Sequence, residues 1–190
     1  MRIIAGKWRG MGILQPPGTQ TRPTTDRVRE AMFSALESRL DFDGICVLDA
    51  FAGSGALGLE ALSRGAGRAV FCERDGKALS TIRRNLAALP GAEAASEIVR
   101  GDVLKHPPVR DTSFDLVLLD PPYAYPAQSI ARFLGDLEAA GSLVDAPFVC
   151  YEHAKKDSSA VKEAFSPIQW QSLGVKCYGD IAFDVFRRLR

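Results

Sequence analysis

The chain has 190 residues, is 46% hydrophobic and 25% charged, and carries a formal net charge of +1. That length and apolar content suit one well-buried core with a small appendage. A net charge so close to zero excludes an overall field that would draw the chain onto nucleic acid. No apolar run approaches the roughly 18–20 residues that a membrane-spanning helix needs.

The first residues, Met1-Arg2-Ile3-Ile4-Ala5-Gly6-Lys7, have no apolar signal-peptide core, so a cytoplasmic protein is expected. Residues 1–25 contain Arg2, Lys7, Arg9 and Arg22 and no acid, and the chain closes with Arg187, Arg188 and Arg190. These cations read either as a local basic surface or as ordinary solvated charge. Gly6-Lys7-Trp8-Arg9-Gly10, between Ile3-Ile4 and Ile13-Leu14, predicts two short strands or an extended arm. Lys7, Trp8 and Arg9 pair cations with an aromatic ring, which suits backbone contact and stacking on single-stranded bases. The same Trp8 could instead anchor the arm to the body. Gln15-Pro16-Pro17-Gly18-Thr19-Gln20 reads as a linker, so residues 1–21 form a basic arm or β-hairpin with its linker and residues 22–190 the main domain.

Thr24-Thr25-Asp26 can cap a helix whose apolar stripe is Val28, Ala31, Met32, Ala35, Leu36 and Leu40. From residue 45 strands and helices alternate. Strands are predicted at 45–48, 69–72, 98–100, 116–119 and 148–151. Helices are predicted around 57–62, along Leu79, Ile82, Leu86 and Leu89, and along Ile130, Phe133, Leu134 and Leu137. Such alternation implies a parallel sheet covered on both faces. Segments 168–177 and 181–189 flank Tyr178-Gly179-Asp180 with too little chain for a helix, which predicts a closing antiparallel hairpin. Cys46, Cys72, Cys150 and Cys177 fall singly in these strands without a C-x-x-C pair, so buried reduced thiols are expected. His106 and His153 lack ligand partners and are expected at the surface or a strand edge, with no metal site.

The turn after the first strand, Asp49-Ala50-Phe51-Ala52-Gly53-Ser54-Gly55-Ala56-Leu57-Gly58, satisfies G-x-G-x-x-G, and Glu73 ends the next strand. This spacing fits a nucleotide-binding turn with Glu73 on a ribose hydroxyl, which a nicotinamide cofactor and S-adenosylmethionine would share. Asp49, where the chain leaves the strand, favours a cationic ligand over a pyrophosphate. Gly101-Asp102 after the third strand adds a polar group for an adenine amine. After the fourth strand comes Asp120-Pro121-Pro122-Tyr123. The prolines have no N–H and a fixed φ, so the surrounding carbonyls are held rigidly. Carboxylate, carbonyl and ring make a clamp for a flat group bearing an N–H. Asp120 and the Pro121 carbonyl would accept hydrogen bonds from the amine, Pro122 would stiffen the turn, and Tyr123 would stack on the base.

In order and composition these motifs resemble the class I S-adenosylmethionine-dependent methyltransferases. The segments Arg2–Gly10 and Arg22-Pro23-Thr24-Thr25-Asp26-Arg27-Val28-Arg29-Glu30 resemble, more narrowly, the RsmD family. The resemblance runs from residue 2 to the Tyr178-Gly179-Asp180 turn. It implies a Rossmann-like α/β fold with a mostly parallel seven-stranded sheet, and methyl transfer to the exocyclic N2 of a guanine in bacterial 16S ribosomal RNA. That RNA would be met alone or within the small subunit, by a monomer. The candidate cofactor-binding residues are Arg22, Thr24, Asp49, Phe51, Ala52, Gly53, Ser54, Gly55, Glu73, Arg74, Gly101, Asp102, Val103 and Asp120. The candidate RNA-binding residues are Lys7, Trp8, Arg9, Arg22 and Arg27, with Arg22 open between cofactor and phosphate. Where the family pattern continues the arm with basic residues, this chain has Met11 and Gly12. The rival readings are adenine-N6 or protein-glutamine methylation with the same clamp, a non-catalytic RNA-binding module, and a nicotinamide oxidoreductase. Asp120 rather than Asn before Pro-Pro-Tyr leans towards guanine.

Overall fold

Cys46–Asp49 is buried at every residue, and a strand without a solvent face must be covered on both sides. In the computed structural model, which describes residues 1–17, 25–108 and 113–188, this strand is β1. It pairs in parallel with β2 (Arg68–Glu73) and with β4 (Phe114–Leu119). Ser96–Arg100 forms β3 beside β2, and Leu143–Ala154 forms β5 beside β4. Trp170–Tyr178 and Ile181–Arg188 form β6 and β7, a hairpin whose second strand lies antiparallel to β5. Among the described residues the order is β3-β2-β1-β4-β5-β7-β6. This is the mostly parallel sheet with a C-terminal antiparallel hairpin expected from the sequence. The chain winds outward from β1 to β3 and then returns to β1's other side as β4. The C-terminal ends of β1 and β4 therefore border the switch point where open α/β sheets bind ligands.

Alternation along each strand divides the core. Leu116 and Leu118 join a cluster with Met32, Phe33 and Leu36 of helix α1 (Asp26–Glu37), Leu59 and Leu62 of α2 (Ala56–Ser63), and Ile82 and Leu86 of α3 (Gly76–Ala88). Val117 and Leu119 join the opposite cluster with Ile130, Phe133 and Leu134 of α4 (Ala127–Ala139), and Val161 and Phe165 of α5 (Ser158–Phe165). Each fully buried side chain of this kind contributes about 1.5–3 kcal/mol relative to exposure. The Thr25 hydroxyl accepts the Val28 N–H at 3.3 Å and caps α1, and the Asp75 carboxylate accepts from Lys77 and Ala78 to cap α3. Caps of this type are worth about 1 kcal/mol each.

The N-terminal arm is built into the body. Arg2 and Gly12 form a single antiparallel bridge, and Ile3, Trp8 and Ile13 enter the α1–α3 core. The buried Glu60 carboxylate accepts the Ile4 and Ala5 N–H groups at 2.8 and 3.0 Å, and Ser63 takes those of Lys7 and Trp8. Glu60 also pairs with Arg64, and the buried Arg29 guanidinium lies 3.7 Å from it. The expected boundary at residues 21 and 22 lies outside the described residues, as does Leu189.

Several expectations change. The buried face of α1 adds Arg29 and Phe33; Ala31 and Leu40 pack partly buried against the same cluster, Leu40 from beyond the helix end at Glu37. β5 runs past both of its expected ends, with a register shift opposite 114–116 near Pro147, which cannot donate to the ladder. Helix α5 was not foreseen; only Val161 and Phe165, one turn apart, bury it. Cys46, Cys72 and Cys150 are buried thiols, whereas Cys177 on the outer strand β6 is exposed. His153 is buried in β5, between β4 and β7, with its ring 5.2 Å from that of Tyr151.

Candidate active site

At the C-terminal edge of β1, β2, β3 and β4 lies a cavity of about 570 Å³. Its floor begins with the β1–α2 loop. Gly55, the N-cap of α2, has φ +81°, a left-handed conformation that favours glycine. Gly58 packs against β2 so closely that a Cβ there would lie 2.4 Å from Cε1 of Phe71. The loop is therefore pressed onto the sheet, and Phe51–Ser54 line the cavity.

Two acids hold that loop from different depths. Asp49, 1% exposed, lies beneath it and accepts the Gly58 N–H at 2.9 Å. Its other carboxylate oxygen is buried without a hydrogen-bond partner. Burial, reinforced by the charges of Asp120 and Glu73 and opposed by the Gly58 N–H, pushes the Asp49 carboxyl up to about 7. Glu73 stands at the cavity wall. One of its oxygens accepts the Gly53 N–H at 2.8 Å, and the other accepts those of Arg74 and Asp75.

Asp102 lies across from this on the β3 side and bonds the Leu104 N–H at 3.2 Å. The Arg74 guanidinium is 3.7 Å from Asp102 and donates to the Tyr125 hydroxyl at 2.8 Å. The Tyr125 ring in turn lies 6.1 Å from that of Phe51. On the other side, β4 delivers Asp120, Pro121, Pro122 and Tyr123 into the lining. Pro121 is buried, while Tyr123 is 52% exposed with its hydroxyl 3.5 Å from Glu152. Apolar walls from Phe51, Leu57, Ala78 and Val103 combined with the carboxylates of Glu73, Asp102, Asp120 and Glu152 fit a nucleoside carrying cationic groups. The sulfonium cofactor expected from the sequence has that chemistry.

Of the candidate cofactor contacts, Phe51, Ala52, Gly53, Ser54, Glu73, Arg74, Gly101, Asp102, Val103 and Asp120 line this one cavity. Asp49 and Gly55 do not: the first is sealed beneath the loop and the second is turned into the α2 cap against Phe71, so both act through loop shape. Arg22 and Thr24 lie outside the described residues. Lys7, Arg9 and Arg27 are exposed on the surface. Trp8 is 4% exposed and its indole N–H donates to the Pro90 carbonyl at 3.1 Å. It is the anchor of the arm, and its ring is not available to stack on a base; Lys7 covers it at 4.5 Å.

The lining also includes residues that the sequence did not single out, Glu152, Arg29 and Tyr125 among them. Glu152 follows Tyr151 of β5 as Asp120 follows Leu119 of β4, and that positional parallel was the available signal. Arg29 falls on the buried face of α1 with Met32, Phe33 and Leu36, so a charge at a core position marked it. It donates to the Arg2 carbonyl and to Asp26, while two of its buried nitrogens have no hydrogen-bond partner. Tyr125 carried no pattern of its own.

Comparison with known proteins converges on one family. Residues 1–187 match the family model described as "Conserved hypothetical protein 95". The chain is 34% identical to the Ribosomal RNA small subunit methyltransferase D of Escherichia coli, over 99% of this chain and 90% of that one. It is 38% identical to the Putative rRNA methyltransferase YlbH of Bacillus subtilis, over 82% and 84% of the two chains. A solved structure described as the putative methyltransferase yhhF from Escherichia coli superposes with a TM-score of 0.81. It shares 33% identity and covers 99% of this chain and 97% of that one. By match length, identity and fold together, this chain belongs to the RsmD family of methyltransferases.

Proposed function

We propose that this chain transfers a methyl group from S-adenosylmethionine to the exocyclic N2 of a guanine in bacterial 16S ribosomal RNA. The observation that carries the reading is the delivery of Asp120-Pro121-Pro122-Tyr123 by β4 into the cavity that Glu73 and Asp102 also line. The names of the relatives support an RNA of the small ribosomal subunit as the acceptor. Such an acceptor also supports a cytoplasmic location.

When bound, S-adenosylmethionine supplies a methyl group activated on a sulfonium centre. Glu73 and Asp102 would hold its adenosine end, with the lining residues Phe51–Ser54 beside them. The guanine amine is a weak nucleophile because its lone pair is delocalised into the ring. As nitrogen attacks and the methyl–sulfur bond breaks to leave a neutral thioether, the nitrogen gains positive charge, its N–H groups become stronger donors, and one proton is then lost to solvent. The Asp120 carboxylate and the Pro121 carbonyl accept those hydrogen bonds more strongly in the transition state than in the ground state, which is what accelerates the step. The two prolines keep these acceptors from relaxing away. Tyr123, half exposed at the mouth, stacks on a base turned out of its helix. Fixing the amine in line with the reacting methyl supplies much of the remaining rate. The exposed cations Lys7, Arg9 and Arg27 contact phosphates without reading sequence.

The test is an acceptor survey with radiolabelled S-adenosylmethionine against 16S RNA, assembled small subunits, DNA and release-factor protein. Label recovered as N2-methylguanosine is the expected result. Label confined to adenine or glutamine would overturn the acceptor, and cofactor binding with no transfer would make the chain a binding module.

A further inference from the structure

Asp120 and Glu152 are neighbours across two parallel strands. β4 and β5 pair with Leu119 opposite Tyr151, so the next residue on each strand is the acid, and both acids line the cavity. Glu152 is 2% exposed, so it is not a solvated surface charge. The Tyr123 hydroxyl lies 3.5 Å from one of its carboxylate oxygens. Tyr123 is the residue assigned to stack on the base, and its ring is half exposed at the same mouth.

We propose that Glu152 reads the Watson–Crick edge of the acceptor base by accepting the N1–H of guanine, while Asp120 accepts from the adjacent N2 amine. The inference rests on the guanine-N2 reading above and adds the residue that selects the base. Guanine presents N1–H and N2–H₂ as neighbouring donors, and an ionised carboxylate only accepts. A purine with an unprotonated N1 points a lone pair at the same oxygen and is repelled. Two acids on adjacent strands therefore match two adjacent donors, and only one of them need touch the reacting nitrogen. When the base enters, Tyr123 moves from Glu152 onto the base face and the N1–H takes its place. A site built to bond a particular N–H discriminates strongly against an analogue lacking it, because its buried acceptor is then left unpaired.

The experiment uses an acceptor that keeps the N2 amine and lacks the N1–H. The guanine labelled by the wild-type protein is first mapped, then replaced by 2-aminopurine in 16S RNA assembled from ligated synthetic segments. Transfer to the two RNAs is measured as kcat/KM with wild-type protein and with Glu152→Gln, alongside cofactor affinity. The wild-type protein should prefer guanine by about a hundredfold or more. Glu152→Gln can donate its amide N–H to the 2-aminopurine N1, so the preference should shrink by about tenfold or more at unchanged cofactor affinity. An equal loss on both RNAs, as from a structural role, would overturn the proposal. So would a wild-type preference near unity, or a variant whose main defect is cofactor binding. Absence of N2-methylguanosine with wild-type protein would instead refute the underlying acceptor reading, and this proposal with it.

Discussion

Glu73 at the end of β2 accepts the Gly53 N–H at 2.8 Å, so the acid expected on the ribose also fixes the glycine loop. Its second oxygen takes the Arg74 and Asp75 N–H groups at the start of α3. Glu73→Ala should therefore lower cofactor affinity by more than the removal of one hydrogen bond would, about 10- to 100-fold. Glu73→Gln retains one acceptor oxygen and should lose less. Calorimetric titration of both variants checks this, and equal small losses would contradict the loop-fixing role.

Asp49 should make the protein less stable as pH rises. Its carboxyl titrates near 7 in the folded chain against an ordinary 3.8. Between those values the folded state holds a proton that the unfolded state has released, so the folded state binds more protons and stability falls with increasing pH. Asp49→Asn keeps an acceptor for the Gly58 N–H and removes the titration. Relative to that variant, wild-type stability should fall by a few kcal/mol between about pH 4 and pH 7. Denaturant unfolding across that range gives the two curves; parallel curves would contradict the assignment.

Gly58 tests the fit between loop and sheet. A methyl group there meets the Phe71 ring at 2.4 Å, and Phe71 is fully buried. Gly58→Ala should cost about 1–3 kcal/mol by overpacking, and adding Phe71→Leu should return part of it. An unchanged melting temperature for the single variant would mean that the loop yields freely.

The arm separates two roles that its sequence ran together. Trp8→Ala should cost about 3–5 kcal/mol of stability, as for a large core side chain. Lys7→Ala and Arg9→Ala should alter stability by less than about 0.5 kcal/mol. They should instead weaken RNA binding and reduce the slope of log affinity against log salt by about one for each phosphate no longer neutralised. Thermal melts together with filter binding at several salt concentrations distinguish these outcomes.

Strands β1, β2 and β4 were legible in the sequence because each has a short apolar run followed by turn residues, with an acid at or just after its C-terminal end. The hairpin was legible from Tyr178-Gly179-Asp180. Other elements were hidden where tertiary packing decides. Helix α5 has only Val161 and Phe165 to mark it, too few for a period. Trp8 could be read either way, because a cation–aromatic–cation triplet looks the same whether its ring is buried or presented. Asp49 was placed correctly at the strand end, but spacing cannot tell an acid above the loop from one below it. Glu152 escaped notice because its strand was expected to stop at Tyr151, one residue short.

If Asp120 acts on the acceptor amine, Asp120→Ala separates the chemistry from cofactor binding. Single-turnover methyl transfer to small-subunit RNA and cofactor affinity are measured on the same preparation. Transfer should be abolished while cofactor affinity stays within about tenfold, or about 1.4 kcal/mol. Loss of cofactor binding in proportion to the loss of transfer would contradict it, and would make Asp120 a holder of the donor.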